Sequence, residues 1–121
     1  MKFLGEIHLF QKAQVDDAIR NICAGRKPFQ LEISEVGIFN GKDSIRVLWL
    51  GLGGDLQELY ALQKEIDGAL ASIGFPPEGR RFRPHITIGQ DIVLKQGFDR
   101  VQEAIGKPDF KLIKVNRLFL F

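Results

Sequence analysis

The stretch Arg80-Arg81-Phe82-Arg83-Pro84-His85-Ile86-Thr87-Ile88 holds the residue types in this chain best suited to chemistry on a phosphate. On a strand, side chains two residues apart share a face. Arg83, His85 and Thr87 are therefore expected to project together, while Ile86 and Ile88 turn into the core. Arginine offers phosphate oxygens a planar fork of donors, and a threonine hydroxyl adds one more. An imidazole titrates close to neutral pH, so it can take or give a proton there. A plainer reading stands beside this one: a strand histidine that is only a surface hydrogen-bonding group, near arginines that are only solvated.

The elements that must position these groups follow from periodicity and punctuation. Pro84 suits a strand start, where a missing N–H is tolerated, and the strand is expected over Arg83–Gly89. Val15, Ala18, Ile19, Ile22 and Cys23 fall at helical spacing, and Gly25 supplies the stop. Phe29, Leu31 and Ile33 alternate with polar residues as in a half-buried strand. Asn40-Gly41-Lys42-Asp43 then reads as the turn of a hairpin whose second strand is Ile45–Leu50. Asp55-Leu56-Gln57-Glu58 resembles a capping box opening a helix through Leu59, Leu62, Ile66, Ala69, Leu70 and Ile73, which Gly74 ends. Phe75–Gly79, with tandem prolines, is a loop. A weaker helix is expected over Phe98–Ile105, with Val101, Ala104 and Ile105 as its apolar positions, and a final strand or pair of strands over Phe110–Phe121. Gly51-Leu52-Gly53-Gly54 lacks the full dinucleotide-loop pattern and reads as turn glycines. Trp49 and the phenylalanines fall mostly at core periodicity, which favours packing over base stacking. Helices and strands alternate around a hairpin, so the class is α/β or α+β, with a partly antiparallel sheet.

At 121 residues, 45% apolar and 26% charged, the chain fits one soluble domain with a real core. No apolar run approaches the ~18 residues of a membrane span, and no leader of basic-then-apolar type opens the chain. The single cysteine, Cys23, excludes an internal disulfide framework, and a cytoplasmic protein is expected. His8, His85 and Cys23 lack the spacing of a metal site, so neither metal nor cofactor is expected, and His8 reads as structural or surface. A net charge of +2 is too mild to imply nucleic-acid binding by itself. Met1–His8 and Leu118–Phe121 both read as extended apolar segments, which suggests part of a larger domain. Such exposed strand edges would also allow a homodimer.

Phe82-Arg-Pro-His-Ile-Thr-Ile-Gly89 resembles the second signature of the two-histidine phosphoesterases, in the branch of RNA 2′,3′-cyclic phosphodiesterases and 2′-5′ RNA ligases. The order Arg46-Val-Leu-Trp-Leu-Gly51, then Ala71-Ser-Ile-Gly-Phe-Pro-Pro-Glu78, then Arg-Phe-Arg-Pro-His85 is similar to the family's, and Lys2-Phe-Leu-Gly-Glu6 resembles the tail of its first signature. The resemblance runs from Met1 to Phe121. The departures stand out: the first His-x-Thr, the opening strand and helix before it and the closing strand have no counterpart here, and Gln90 stands where the family often has Arg.

The resemblance implies an α+β fold of mixed, largely antiparallel sheets packed with helices, as one two-lobed, two-histidine phosphoesterase-like domain over 1–121, incomplete at both ends. It implies metal-independent opening of a 2′,3′-cyclic phosphate to a 2′-phosphate on RNA ends or cyclic nucleotides, or the reverse ligation. His85 and Thr87 would be half of the catalytic set, and Arg83, Arg81 and Arg80 would be contacts to RNA phosphate. With one His-x-Thr, the chain alone is expected to be inactive or weakly active. The other reading is a non-catalytic module that binds nucleotides or RNA ends.

Overall fold

The computed structural model describes residues 1–40, 44–93, 97–105 and 112–121. Its elements are α1 (Leu9–Cys23), β1 (Phe29–Asn40), β2 (Ile45–Gly54), α2 (Leu56–Ala71), β3 (His85–Ile92), α3 (Phe98–Ile105) and β4 (Leu112–Val115). They form an α+β fold with a four-stranded sheet of order β3-β2-β1-β4, in which β1–β2 and β2–β3 are antiparallel. The chain divides into two compact units, one of residues 1–29, 55–82 and 114–121, the other of residues 30–54 and 83–113.

In the first unit α1 packs on α2. The buried stripe of α2, Leu59, Leu62, Ile66 and Leu70, repeats at helical spacing, and Val15 is the buried residue of α1. Helix α1 begins earlier than its apolar spacing suggests: His8 is its N-cap, with its backbone N–H donating to Gln11 Oε1 at 3.1 Å. On the helix's outer side Asp16 accepts a 2.7 Å hydrogen bond from Arg20 Nε, which raises the guanidinium pKa above its ordinary value. The expected capping box at α2 is not formed, since Asp55 is the N-cap by backbone but its side chain makes no capping bond. The segment before α1 is tied to α2 by Lys2, whose ammonium donates to Asp67 Oδ1 at 2.7 Å and to the Pro76 carbonyl at 3.0 Å.

The second unit is built on the β1–β2 hairpin, whose turn at 41–43 lies outside the described residues. Strand β1 continues well past Ser34, to Asn40, because a bulge at Ser34 and Glu35, both opposite Gly51, lets it bend rather than end. Gly51–Gly53 are strand residues, not a turn. Side chains from β1 lean over them: a Cβ on Gly51 would lie 2.8 Å from Ser34 Oγ and 2.9 Å from Glu35 Cγ. Only Gly54, with φ +83°, makes the turn into α2.

Two further expectations are corrected. Strand β3 starts at His85, so Arg83 precedes it, and Ile86 and Ile88 are 37% and 48% exposed rather than core. The reason is topological: β3 is an edge strand, and its register shifts between Leu48↔Gly89 and Trp49↔Thr87, leaving Ile88 without a direct partner. At the far end β4 is four residues long, and Phe119 and Phe121 are exposed and stack on each other at 6.0 Å. Residues 110 and 111, the start of the expected last strand, and the side chains of Val101, Ala104 and Ile105 lie outside the described residues.

Candidate functional site

The cross-strand register builds the site in rows. His85 pairs with Gly51, which faces the Ser34–Glu35 bulge, and Thr87 pairs with Trp49, which pairs in turn with Gly37. Directly paired residues share a face of a sheet. His85, Thr87 and Trp49 therefore stand together on one face, as do Ser34 and Glu35 where they lean over Gly51. His85 and Thr87 are both exposed.

The imidazole of His85 is held from two directions. Its Nδ1 lies 2.7 Å from the Arg83 carbonyl oxygen. A carbonyl can only accept, so Nδ1 carries the proton and Nε2 is left as the nitrogen that can take up or release one. Two aromatic rings then flank the imidazole edge-on. Phe39 lies at 6.1 Å with an interplanar angle of 88°, and Trp49 at 6.5 Å and 67°. Phe39 and Trp49 also meet each other, at 5.6 Å. A Cβ on Gly37 would overlap the Trp49 ring, so only glycine leaves the indole room to lie across β1. Trp49 Nε1 is buried and has no hydrogen-bond partner among the described residues.

Of the five residues singled out in the sequence, Arg83, His85 and Thr87 belong to the second unit. Arg83 contributes through its backbone, as the acceptor for His85, and its side chain is exposed. Arg80 and Arg81 belong to the first unit, in the exposed segment that ends at Phe82, whose ring meets Tyr60 edge-on at 6.0 Å. Phe39, Trp49, Gly37 and Glu35 were not singled out as site residues, although the i, i+2 spacing of Glu35, Gly37 and Phe39 would place them on one face of a longer strand. Among the described residues no group of three His, Cys, Asp or Glu side chains is placed to hold a metal ion. No helix is long and apolar enough to cross a membrane, again among the described residues.

Comparison with known proteins gives this geometry its context. The chain is 33% identical over 90 residues to the RNA 2′,3′-cyclic phosphodiesterase of Aeropyrum pernix, covering 74% of this chain and 50% of that protein. It is 31% identical over 108 residues to the RNA 2′,3′-cyclic phosphodiesterase of Methanothermobacter thermautotrophicus, covering 88% and 56%. The chain thus spans about half the length of these curated relatives. The crystal structure of E. coli LigT complexed with 3′-AMP superposes with a TM-score of 0.71 at 24% identity, covering 94% of this chain and 59% of that one, a likeness of fold. Residues 3–121 match the 2′-5′ RNA ligase superfamily, and the chain belongs to it.

Proposed function

We propose that this chain acts on RNA ends that carry a 2′,3′-cyclic phosphate, with His85 and Thr87 as its catalytic residues. The observation that carries the reading is the Nδ1–H bond from His85 to the Arg83 carbonyl, which leaves Nε2 available on the same sheet face as the Thr87 hydroxyl. The names of the relatives and the mononucleotide bound to LigT support the substrate class.

In the reaction, water attacks phosphorus, the bond from phosphorus to O3′ breaks, and a 2′-phosphate remains. One proton leaves the water and one reaches O3′. His85 Nε2 handles one of these transfers, and Thr87 donates to a non-bridging oxygen. The second transfer needs another acid–base group, and His85 is the only histidine of this sequence in a His-x-Thr pattern. Arg83, Arg81 and Arg80 supply cations for the phosphates of the adjoining RNA.

Residues 1–121 belong to one two-histidine phosphoesterase-like domain, and the cytoplasm is its compartment. Strands β3 and β4 are the edges of the sheet, which supports association of two copies. The test of function is hydrolysis of 2′,3′-cyclic AMP with the product's phosphate position identified. The expected outcome is slow turnover to the 2′-phosphate, reduced about 10²–10⁴-fold in His85→Ala. Turnover that is unchanged in His85→Ala would remove His85 from the mechanism.

A further inference from the structure

We infer that Glu35 is a specificity-determining residue, an inference that rests on the function proposed above. Its carboxylate lowers the site's affinity for the doubly charged 2′-phosphate more than for the singly charged cyclic phosphate that is opened at His85 and Thr87. The bulge in β1 sets Ser34 and Glu35 together opposite Gly51, and Gly51 is the strand partner of His85. Both side chains lean to the site face: a Cβ on Gly51 would lie 2.8 Å from Ser34 Oγ, 2.9 Å from Glu35 Cγ and 3.4 Å from Glu35 Oε1. Directly paired residues hold their Cβ atoms ~4.5–5.5 Å apart, so the carboxylate stands within about 9 Å of the His85 Cβ. That is about one Debye length at physiological salt, close enough for one charge to act on another.

The charge of Glu35 is also free to act. The residue is exposed, and among the described residues its carboxylate has no ion-pair or hydrogen-bond partner, whereas Glu58 and Glu65 of α2 both face Arg26. A negative charge beside a phosphate site costs affinity for every phosphate, and costs most for the most highly charged one. Opening a cyclic diester adds a negative charge, because a phosphate monoester ionises a second time near pH ~6. Repulsion from Glu35 therefore rises as the ring opens, and it promotes departure of the product. Glu32 is the natural comparison. It pairs with Gly53 and leans over it, with Oε1 3.2 Å from a Cβ there, but Gly53 lies two residues along β2 from the partner of His85. Its influence on a phosphate at His85 is correspondingly weaker.

The test compares 2′-AMP with its methyl ester, which carries one negative charge fewer, on the full 121-residue chain. Binding is measured by isothermal titration at about pH 8, where the monoester is dianionic. Glu35→Gln should tighten the ester about threefold and 2′-AMP about tenfold, because doubling the charge squares the factor. The gap between the two ligands should shrink at high salt. Glu35→Asp, which keeps the charge, should bind both ligands as the unsubstituted chain does, and Glu32→Gln should have a smaller effect than Glu35→Gln. Thermal melts of the variants establish that they fold. Equal tightening of both ligands by Glu35→Gln overturns the inference, and so does an equal response to Glu32→Gln, which would reflect net charge alone. Weaker binding in Glu35→Gln also overturns it, since the carboxylate would then hold the ligand. All three results leave the proposed function standing. Binding of neither ligand by the unsubstituted chain sinks the proposed function and the inference with it.

Discussion

The imidazole of His85 has few ways to turn. A hydrogen bond from Nδ1 to Arg83 fixes one edge, and the Phe39 and Trp49 rings limit rotation on the other sides. That arrangement depends on Gly37, because the indole occupies the space where any other residue would place its Cβ. Gly37→Ala is therefore expected to push Trp49 off β1 at a cost of about 1–3 kcal/mol, the usual range for overpacking. Trp49 is the single tryptophan of the chain, so its emission reports the displacement directly while a thermal melt reports the cost. An unchanged spectrum and melting temperature would mean that the backbone of β1 gives way to the added methyl and the indole stays in place. His85 and Thr87 were legible in the sequence because they are adjacent members of one strand and their chemistry is contiguous. Phe39 and Glu35 were not, because they reach the site only through pairing across β2 and past a bulge that periodicity does not reveal.

Helices and strands were legible to different degrees, for a related reason. The α2 stripe can be read directly because a helix buries its own i, i+3, i+4 neighbours, and the structure buries Leu59, Leu62, Ile66 and Leu70 as that pattern requires. Strand β3 carries the same clear signal, yet Ile86 and Ile88 stay exposed, since the burial of a strand depends on what the topology sets against it. The link between the segment before α1 and α2 was also invisible from sequence, because Lys2 and Asp67 are 65 residues apart. Their side chains are only 8% and 18% exposed, so the pair is largely withdrawn from water. Removing one partner of such a pair strands the other. Asp67→Ala leaves the Lys2 ammonium with the Pro76 carbonyl alone and is expected to cost about 3 kcal/mol in urea unfolding. Lys2→Met should cost less, because Asp67 keeps a hydrogen bond from Gln63 Nε2 and the methylene stem is replaced in kind. Equal costs would show that the bond from Gln63 leaves Asp67 no better off than the stranded Lys2.

At the scale of the whole molecule, β3 and β4 are the edges of the sheet among the described residues, and they are where self-association can be tested. Strand β4 is a poor template, with only four residues and Lys114 among them. Strand β3 is twice as long and exposes Ile86 and Ile88, but the register shift at Ile88 interrupts the straight row of backbone groups that a second strand would need. Bulges and edge lysines are devices that blunt strand pairing. The edges should therefore support weak association through β3 rather than a tight dimer. The exposed Phe119 and Phe121 offer a competing contact that owes nothing to strand pairing. Sedimentation velocity at rising concentration separates the two. If β3 is the contact, the average mass should climb gradually, and Ile88→Lys should hold the chain monomeric while a Phe119→Ser, Phe121→Ser variant still associates. The reverse pattern would assign association to the C-terminal rings, and a monomer at every concentration would mean that the bulge alone is enough to keep the edge closed.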